Sequence, residues 1–191
     1  AELRCFAVLN GLPCRGFAPV WVLMQAGSLG GALLVSAAVR VGVDRRLGAR
    51  MALVGSVTWL GAKAVKPLVR RGRPPEVVAV ARILGREQTG LGYPSGHAAV
   101  AASLAAVAAP WLPARWRAGV WVPALLVGPA RAYVGAHLPL DVLGGIAFGM
   151  LTGALLPCDG RARRSGADVD AQLPPQVEAQ LPAGDEADDR L

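Results

Sequence analysis

The chain has 191 residues, enough for one domain or for a small bundle of membrane helices. It is 53% hydrophobic with a mean hydropathy of +0.42, which is too apolar for an ordinary soluble domain. The net charge of +7 conceals a division: residues 1–156 carry sixteen Lys and Arg against five acids, whereas residues 157–191 hold eight of the thirteen carboxylates. The cations sit between apolar runs and barely interleave with aromatics, a pattern that suits anionic lipid headgroups and phosphate substrates rather than nucleic acid. Three cysteines (Cys5, Cys14 and Cys158) have neither zinc nor redox spacing and are read as unpaired.

In chain order, residues 1–18 mix Phe6, Leu9, Leu12 and Phe17 with polar groups. They lack the continuous apolar run of a cleavable signal peptide and read as an interfacial segment. Pro19 to Val39 is a charge-free stretch of 21 residues, long enough for a bilayer core of roughly 30 Å. A basic loop, Arg40 to Arg50, leads to a second stretch, Met51 to Val65, which carries Lys63 and runs into Lys66-Pro67. A third begins at Ser95-Gly96 and continues through Ala98 to Ala109, where Pro110 and Pro113 stop it. The fourth covers Ala118 to Val134 and the fifth Leu138 to Leu156, the latter rich in glycine.

Gly and Ala at close spacing let helices approach tightly, so these stretches predict an all-α, multi-pass transmembrane bundle of about five spans over residues 19–156. Residues 157–191, acidic and poor in aromatic and β-branched side chains, read as a disordered tail. Five spans put the loops at 66–94 and 134–138 on one side. Arg40, Arg45, Arg46, Arg50, Arg115, Arg117, Arg161, Arg163 and Arg164 then fall on the other. The positive-inside tendency makes the arginine side, with the tail, cytoplasmic and the other extracytoplasmic, in the plasma membrane.

Chemistry concentrates in three clusters. Lys66 is followed by Arg73-Pro74; an Arg fork and a Lys point charge both suit a phosphate dianion. Pro94-Ser95-Gly96-His97 reads as a helix start with Ser95 as N-cap, Gly96 allowing close backbone approach and His97 aimed at an anion held on free N–H groups. In the third cluster, Arg131 precedes His137 and Asp141. The last two are four apart, so a shared helix face is expected, with Pro139 in the first turn. Asp141 is the one carboxylate within an apolar stretch, and such a charge needs a partner. If it accepts from one imidazole nitrogen of His137, the tautomer is fixed and the other nitrogen is free to attack. Both histidines of the chain fall in these clusters.

The motifs Lys66-x6-Arg73-Pro74, Pro94-Ser95-Gly96-His97 and Arg131-x5-His137-x3-Asp141 resemble, in order and spacing, those of the type 2 phosphatidic acid phosphatase family, which includes the lipid phosphate phosphatases. The resemblance implies a helical fold shared with the vanadium haloperoxidases and hydrolysis of a lipid phosphomonoester or pyrophosphate. It makes His137 the nucleophile, Asp141 its orienting carboxylate and His97 the general acid. Lys66, Arg73, Ser95, the Gly96 amide and Arg131 would hold the phosphate oxygens, with no metal or other cofactor. Two departures from the family pattern are visible: Ala130 stands where a Ser usually precedes the third-motif Arg, and five stretches are counted where six spans are common. Competing readings are a vanadium-haloperoxidase-like enzyme, for which the chain is short and apolar, and a catalytically silent membrane scaffold that binds lipid phosphate. The partners expected are the lipid phosphate substrate and membrane lipids.

Overall fold

The computed structural model describes residues 1–156; the acidic tail expected over 157–191 lies outside them. Among the described residues the regular structure is all helical. In chain order it comprises α1 (Glu2–Asn10), α2 (Phe17–Gln25), α3 (Leu29–Gly42), α4 (Arg45–Val69), the short α5 (Pro74–Val77), α6 (Gly96–Ala108), the short α7 (Ala114–Arg117), α8 (Trp121–Tyr133) and α9 (Pro139–Leu155).

The helix α6 is the axis. Its Ala-rich sequence leaves no bulk to hold neighbours away, and every residue from Ala98 to Ala105 is buried. On one side Val100, Leu104 and Val107 pack with Ala32 of α3 and Leu47, Met51 and Val54 of α4. On another, Ala101 and Ala105 meet Ala124 and Val127 of α8. The third side is taken by α9 through Gly145, Gly149 and Gly153, one turn apart. A Cβ on Gly145 or Gly149 would run into the carbonyl oxygens of Ser95 and Ala99. This glycine stripe brings two backbones together, the packing that small residues permit. Behind it, the hydroxyls of Thr58 and Thr152 join α4 to α9 at 2.7 Å.

A few polar side chains are buried among these apolar contacts, while several large apolar ones face outward. Ser36, Thr58 and Ser103 are buried and bonded, while Leu34 is 74% exposed, Leu60 60% and Leu143 59%, on the outer faces of α3, α4 and α9.

Two expectations require correction. The stretch Pro19 to Val39 is not one span: α2 ends at Gln25 and α3 begins after Ser28. There, Ser28 Oγ accepts from the Gly31 amide at 2.9 Å and donates to the Gln25 carbonyl at 2.7 Å, so a local cap overrides the continuity of the apolar run. The basic loop Arg40 to Arg50 is also mostly helix, because Asp44 Oδ1 caps α4 through the amides of Arg46 and Leu47 at 2.8 and 2.7 Å.

Among the described residues no single helix is both long and apolar enough to cross a membrane; one bent pair, Glu2–Asn10 with Cys14–Gln25 at 80°, passes on length and composition. At 25 residues α4 is about 37 Å long, but Lys63 and Lys66 lower its hydropathy.

The N-terminal α1 is packed rather than peripheral. Phe6 is buried against Ala132 and Leu138. The Asn10 amide group donates to the Arg82 and Tyr133 carbonyls and accepts the Arg82 amide, pinning loop 78–84 beside the end of α8.

Candidate active site

The end of α4, the start of α6, the end of α8 and the start of α9 meet at one end of the bundle. At the far end, Arg50 donates to the Leu156 carbonyl. Each motif residue therefore lies at a helix terminus or in the loops that join them.

Lys66 is on the last turn of α4, and its Nζ donates to the carbonyls of Leu91 (2.8 Å), Gly92 (3.1 Å) and Pro94 (3.1 Å). Arg73, the N-cap residue of α5, gives Nε to the Gly90 carbonyl and Nη1 to the Ala136 carbonyl, both at 2.8 Å. These bonds tie the 90–94 loop to the strap before His137 and satisfy donors of the half-buried Lys66 and the buried Arg73. Arg131, on the last turn of α8 and 5% exposed, has its Nη1 3.7 Å from Met24 Sδ and its Nε without a partner among the described residues. The Arg131 carbonyl accepts the amides of Ala136 and His137 at 3.0 and 3.3 Å, so this residue also fixes the backbone that presents His137.

Ser95 occupies the N-cap position of α6 but makes no side-chain cap; its buried Oγ has no partner among the described residues. Its amide instead donates to the Asp141 carbonyl at 2.8 Å, joining the two helix starts. Gly96 and His97 form the first turn of α6.

The expected shared helix face of His137 and Asp141 is replaced by a different local geometry. Leu138 is the N-cap of α9, so His137 precedes the helix, and Asp141 is its third residue. The Asp141 carboxylate is 0% exposed; Oδ2 accepts the Leu138 amide at 3.0 Å and lies 3.6 Å from His137 Nδ1. A proline at the first helical position and an acid at the third is a helix-start signature, and it outweighs continuation of the helix back through His137. The histidine is 2% exposed, and burial holds its imidazole well below the ordinary value, with Arg131, Arg73 and Lys66 pushing the same way and the Gly92 carbonyl opposing.

Sequence reasoning did not single out Arg71 or Glu2. Arg71 Nη1 lies 3.5 Å from Asp141 Oδ1 and its Nη2 lies 2.6 Å from Glu2 Oε2. The signal in the sequence was Asp141 itself: a buried carboxylate needs more than a neutral histidine beside it.

Beside the site is a cavity of about 250 Å³ whose walls include Trp21, Met24, Ile83, Arg86, His97 and Arg131.

A sequence model of the PAP2 superfamily matches residues 45–165, more than half of the chain and all three clusters. The chain belongs to the PAP2 superfamily. As a PAP2 protein it is similar to the undecaprenyl-diphosphatase of Sulfolobus acidocaldarius, 30% identical over 109 residues that make up 55% of this chain and 51% of that protein. The chain thus spans about half the length of this curated relative. Among solved structures, LpxE of Aquifex aeolicus superposes with a TM-score of 0.71 at 20% identity, covering 81% of this chain and 93% of that one. The first transmembrane PAP2-type phosphatidylglycerolphosphate phosphatase from Bacillus subtilis superposes with a TM-score of 0.62 at 21% identity, covering 92% and 87%. These likenesses establish the PAP2 helical fold expected from the motifs.

Proposed function

We propose that this PAP2 protein is an integral membrane phosphatase that hydrolyses the phosphomonoester or pyrophosphate of a lipid, polyprenyl or glycerolipid, through a phosphohistidine on His137. The observation that carries the reading is the convergence of Lys66, Arg73, Arg131, the unpartnered Ser95 Oγ and both histidines at one end of the bundle.

In this mechanism His137 is neutral and attacks phosphorus through Nε2, since Nδ1 faces Asp141. The P–O bond to the lipid breaks, and the leaving oxygen takes a proton from His97. Water then attacks the phosphohistidine with His97 as base, releasing inorganic phosphate and restoring His137. Lys66, Arg73, Arg131, Ser95 and the Gly96 amide hold the three equatorial oxygens as charge builds in the transition state. In the reading, a phosphate draws Lys66 and Arg73 partly away from their carbonyl partners. No metal is required, because the cations neutralise the charge.

The leucines and valines exposed on α3, α4, α8 and α9 support placement of residues 19–156 in a bilayer, with residues 1–18 at the interface. Apolar helices shorter than about 20 residues cross by thinning the bilayer or by adding their flanking turns. The arginine-rich end of α4 lies with the end of α9, which supports a cytoplasmic face there, in the plasma membrane, and an extracytoplasmic catalytic end. The names of the relatives, an undecaprenyl-diphosphatase and a phosphatidylglycerolphosphate phosphatase, support a lipid phosphate as substrate. Its head group would meet the 83–88 segment that rims the cavity.

The test is phosphate release by detergent-purified protein from a panel of lipid phosphates, with EDTA present and a His137→Ala control. Release that survives EDTA and disappears in the variant supports the reading. Binding of lipid phosphate without release by folded protein would replace the enzyme by a scaffold.

A further inference from the structure

Asp141 is fully buried, yet only one of its oxygens is accounted for by the helix start: Oδ2 takes the Leu138 amide and faces His137. The other, Oδ1, has no hydrogen-bond partner among the described residues, and Arg71 lies 3.5 Å from it. Arg71 is held from three directions. The chain leaves α4 through Arg70 at a left-handed φ of 51°, which turns residue 71 back toward the bundle. The Arg71 carbonyl accepts the Gly92 amide at 2.7 Å. Its other guanidinium nitrogen meets Glu2 Oε2 at 2.6 Å, while Glu2 Oε1 accepts the Leu140 amide at 2.9 Å, the residue before Asp141. Glu2 therefore grips both the cation and the helix start that carries the carboxylate.

We infer that Arg71, buttressed by Glu2 of α1, is a positioning residue for the phosphatase reaction that holds the Asp141 carboxylate in the orientation that presents Oδ2 to His137. The inference rests on the proposed role of the His137–Asp141 pair. A guanidinium suits the task because its planar fork can contact two carboxylates at once, Asp141 through Nη1 and Glu2 through Nη2. Lys66 and Arg73 also lie near Asp141, but Lys66 Nζ donates to the carbonyls of Leu91, Gly92 and Pro94, and Arg73 Nε and Nη1 donate to those of Gly90 and Ala136. The two terminal nitrogens of Arg71 are directed at carboxylates, Nη1 at Asp141 and Nη2 at Glu2, which places it to act on Asp141. The arrangement also gives α1 a catalytic purpose: it closes the rear of the pair.

The experiment measures kcat and KM for phosphate release, with thermal melting in the same detergent, for wild type, Arg71→Gln, Arg71→Lys, Glu2→Gln and the double variant Arg71→Gln/Glu2→Gln. Activity of wild type and its absence in His137→Ala test the underlying reading separately. The inference expects Arg71→Gln to lower kcat by on the order of tenfold to a hundredfold with KM within about twofold, the mark of an interaction felt in the transition state. It expects Arg71→Lys to recover part of that loss, and Glu2→Gln to cost less and to add nothing once Arg71 is gone. A rise in KM at unchanged kcat would make Arg71 a substrate contact and overturn the inference. Additive losses from Glu2 and Arg71, or losses that track melting temperature, would reduce the pair to a clamp for α1 and overturn it equally.

Discussion

The amide of Ser95 donates to the main-chain carbonyl of Asp141 at 2.8 Å, so the helix that begins beside His97 and the helix that begins beside His137 are bonded to each other at their first turns. The spacing of the two backbone segments that carry the histidines is therefore fixed by main-chain contact. That contact is possible because α9 presents glycine to α6 along its whole length.

The glycine stripe should accordingly be intolerant of bulk. Gly149→Leu forces a side chain into the Ala99 carbonyl, and overpacking of this kind costs roughly 1–3 kcal/mol. A lowered melting temperature in detergent, together with lost phosphate release, is the expected result. The outward-facing Leu143→Ala, a residue 59% exposed, should leave both nearly unchanged and serves as the comparison.

Arg131 offers a buried Nε with no partner beside the cavity that also holds His97. Replacement by Gln should lower kcat by on the order of 10²–10³, the usual cost of one oxyanion donor. Replacement by Lys should not restore it, because an ammonium cannot reproduce the fork. Steady-state kinetics on the preferred lipid phosphate decide the matter; a wild-type rate for Arg131→Gln would remove this residue from the phosphate site.

The pH dependence follows from His137. In the proposed mechanism its neutral form is the nucleophile, and burial with three nearby cations holds its pKa well below 6.5. The sign is definite: as pH falls through 6.5 the imidazole stays unprotonated, so kcat/KM should persist there and decline only at lower pH. Arg73→Gln removes one of those cations and should move the acid limb to higher pH. A wild-type acid limb at or above 6.5 would contradict the proposed state of His137.

Asp141→Asn preserves shape and can still accept the Leu138 amide, but it removes the charge that steadies the phosphohistidine step. By analogy with the aspartate of a serine-hydrolase triad, kcat should fall by on the order of 10⁴ while the protein stays folded. Circular dichroism and phosphate release, measured together, separate this outcome from simple unfolding.

Much of this was legible in the sequence because the decisive residues are few and chemically distinctive. Two histidines, one carboxylate in an apolar stretch and Pro94-Ser95-Gly96 mark helix starts and phosphate chemistry without reference to tertiary structure. The glycine-rich composition of the fifth stretch announced close helix packing, but not the neighbour it meets. What could not be read was set by competition between local rules. A charge-free run from Pro19 to Val39 satisfied the length of a span, yet the cap built by Ser28 divided it. His137 and Asp141 are four apart, yet the first-turn Pro139 started the helix between them. Arg71 and Glu2 are 69 positions apart, and nothing local distinguishes Arg71 from its neighbour Arg70; only the fold pairs it with Asp141.

Passage of phosphate through His137 is tested most directly by a rapid alkaline quench of the enzyme with a radiolabelled lipid phosphate, followed by location of protein-bound label. Label is expected on His137 before free phosphate appears and is expected to be absent in His137→Ala, with accumulation increased when hydrolysis is slowed. Phosphate release by wild type with no bound label under any quench time, or release by His137→Ala near the normal rate, would contradict it.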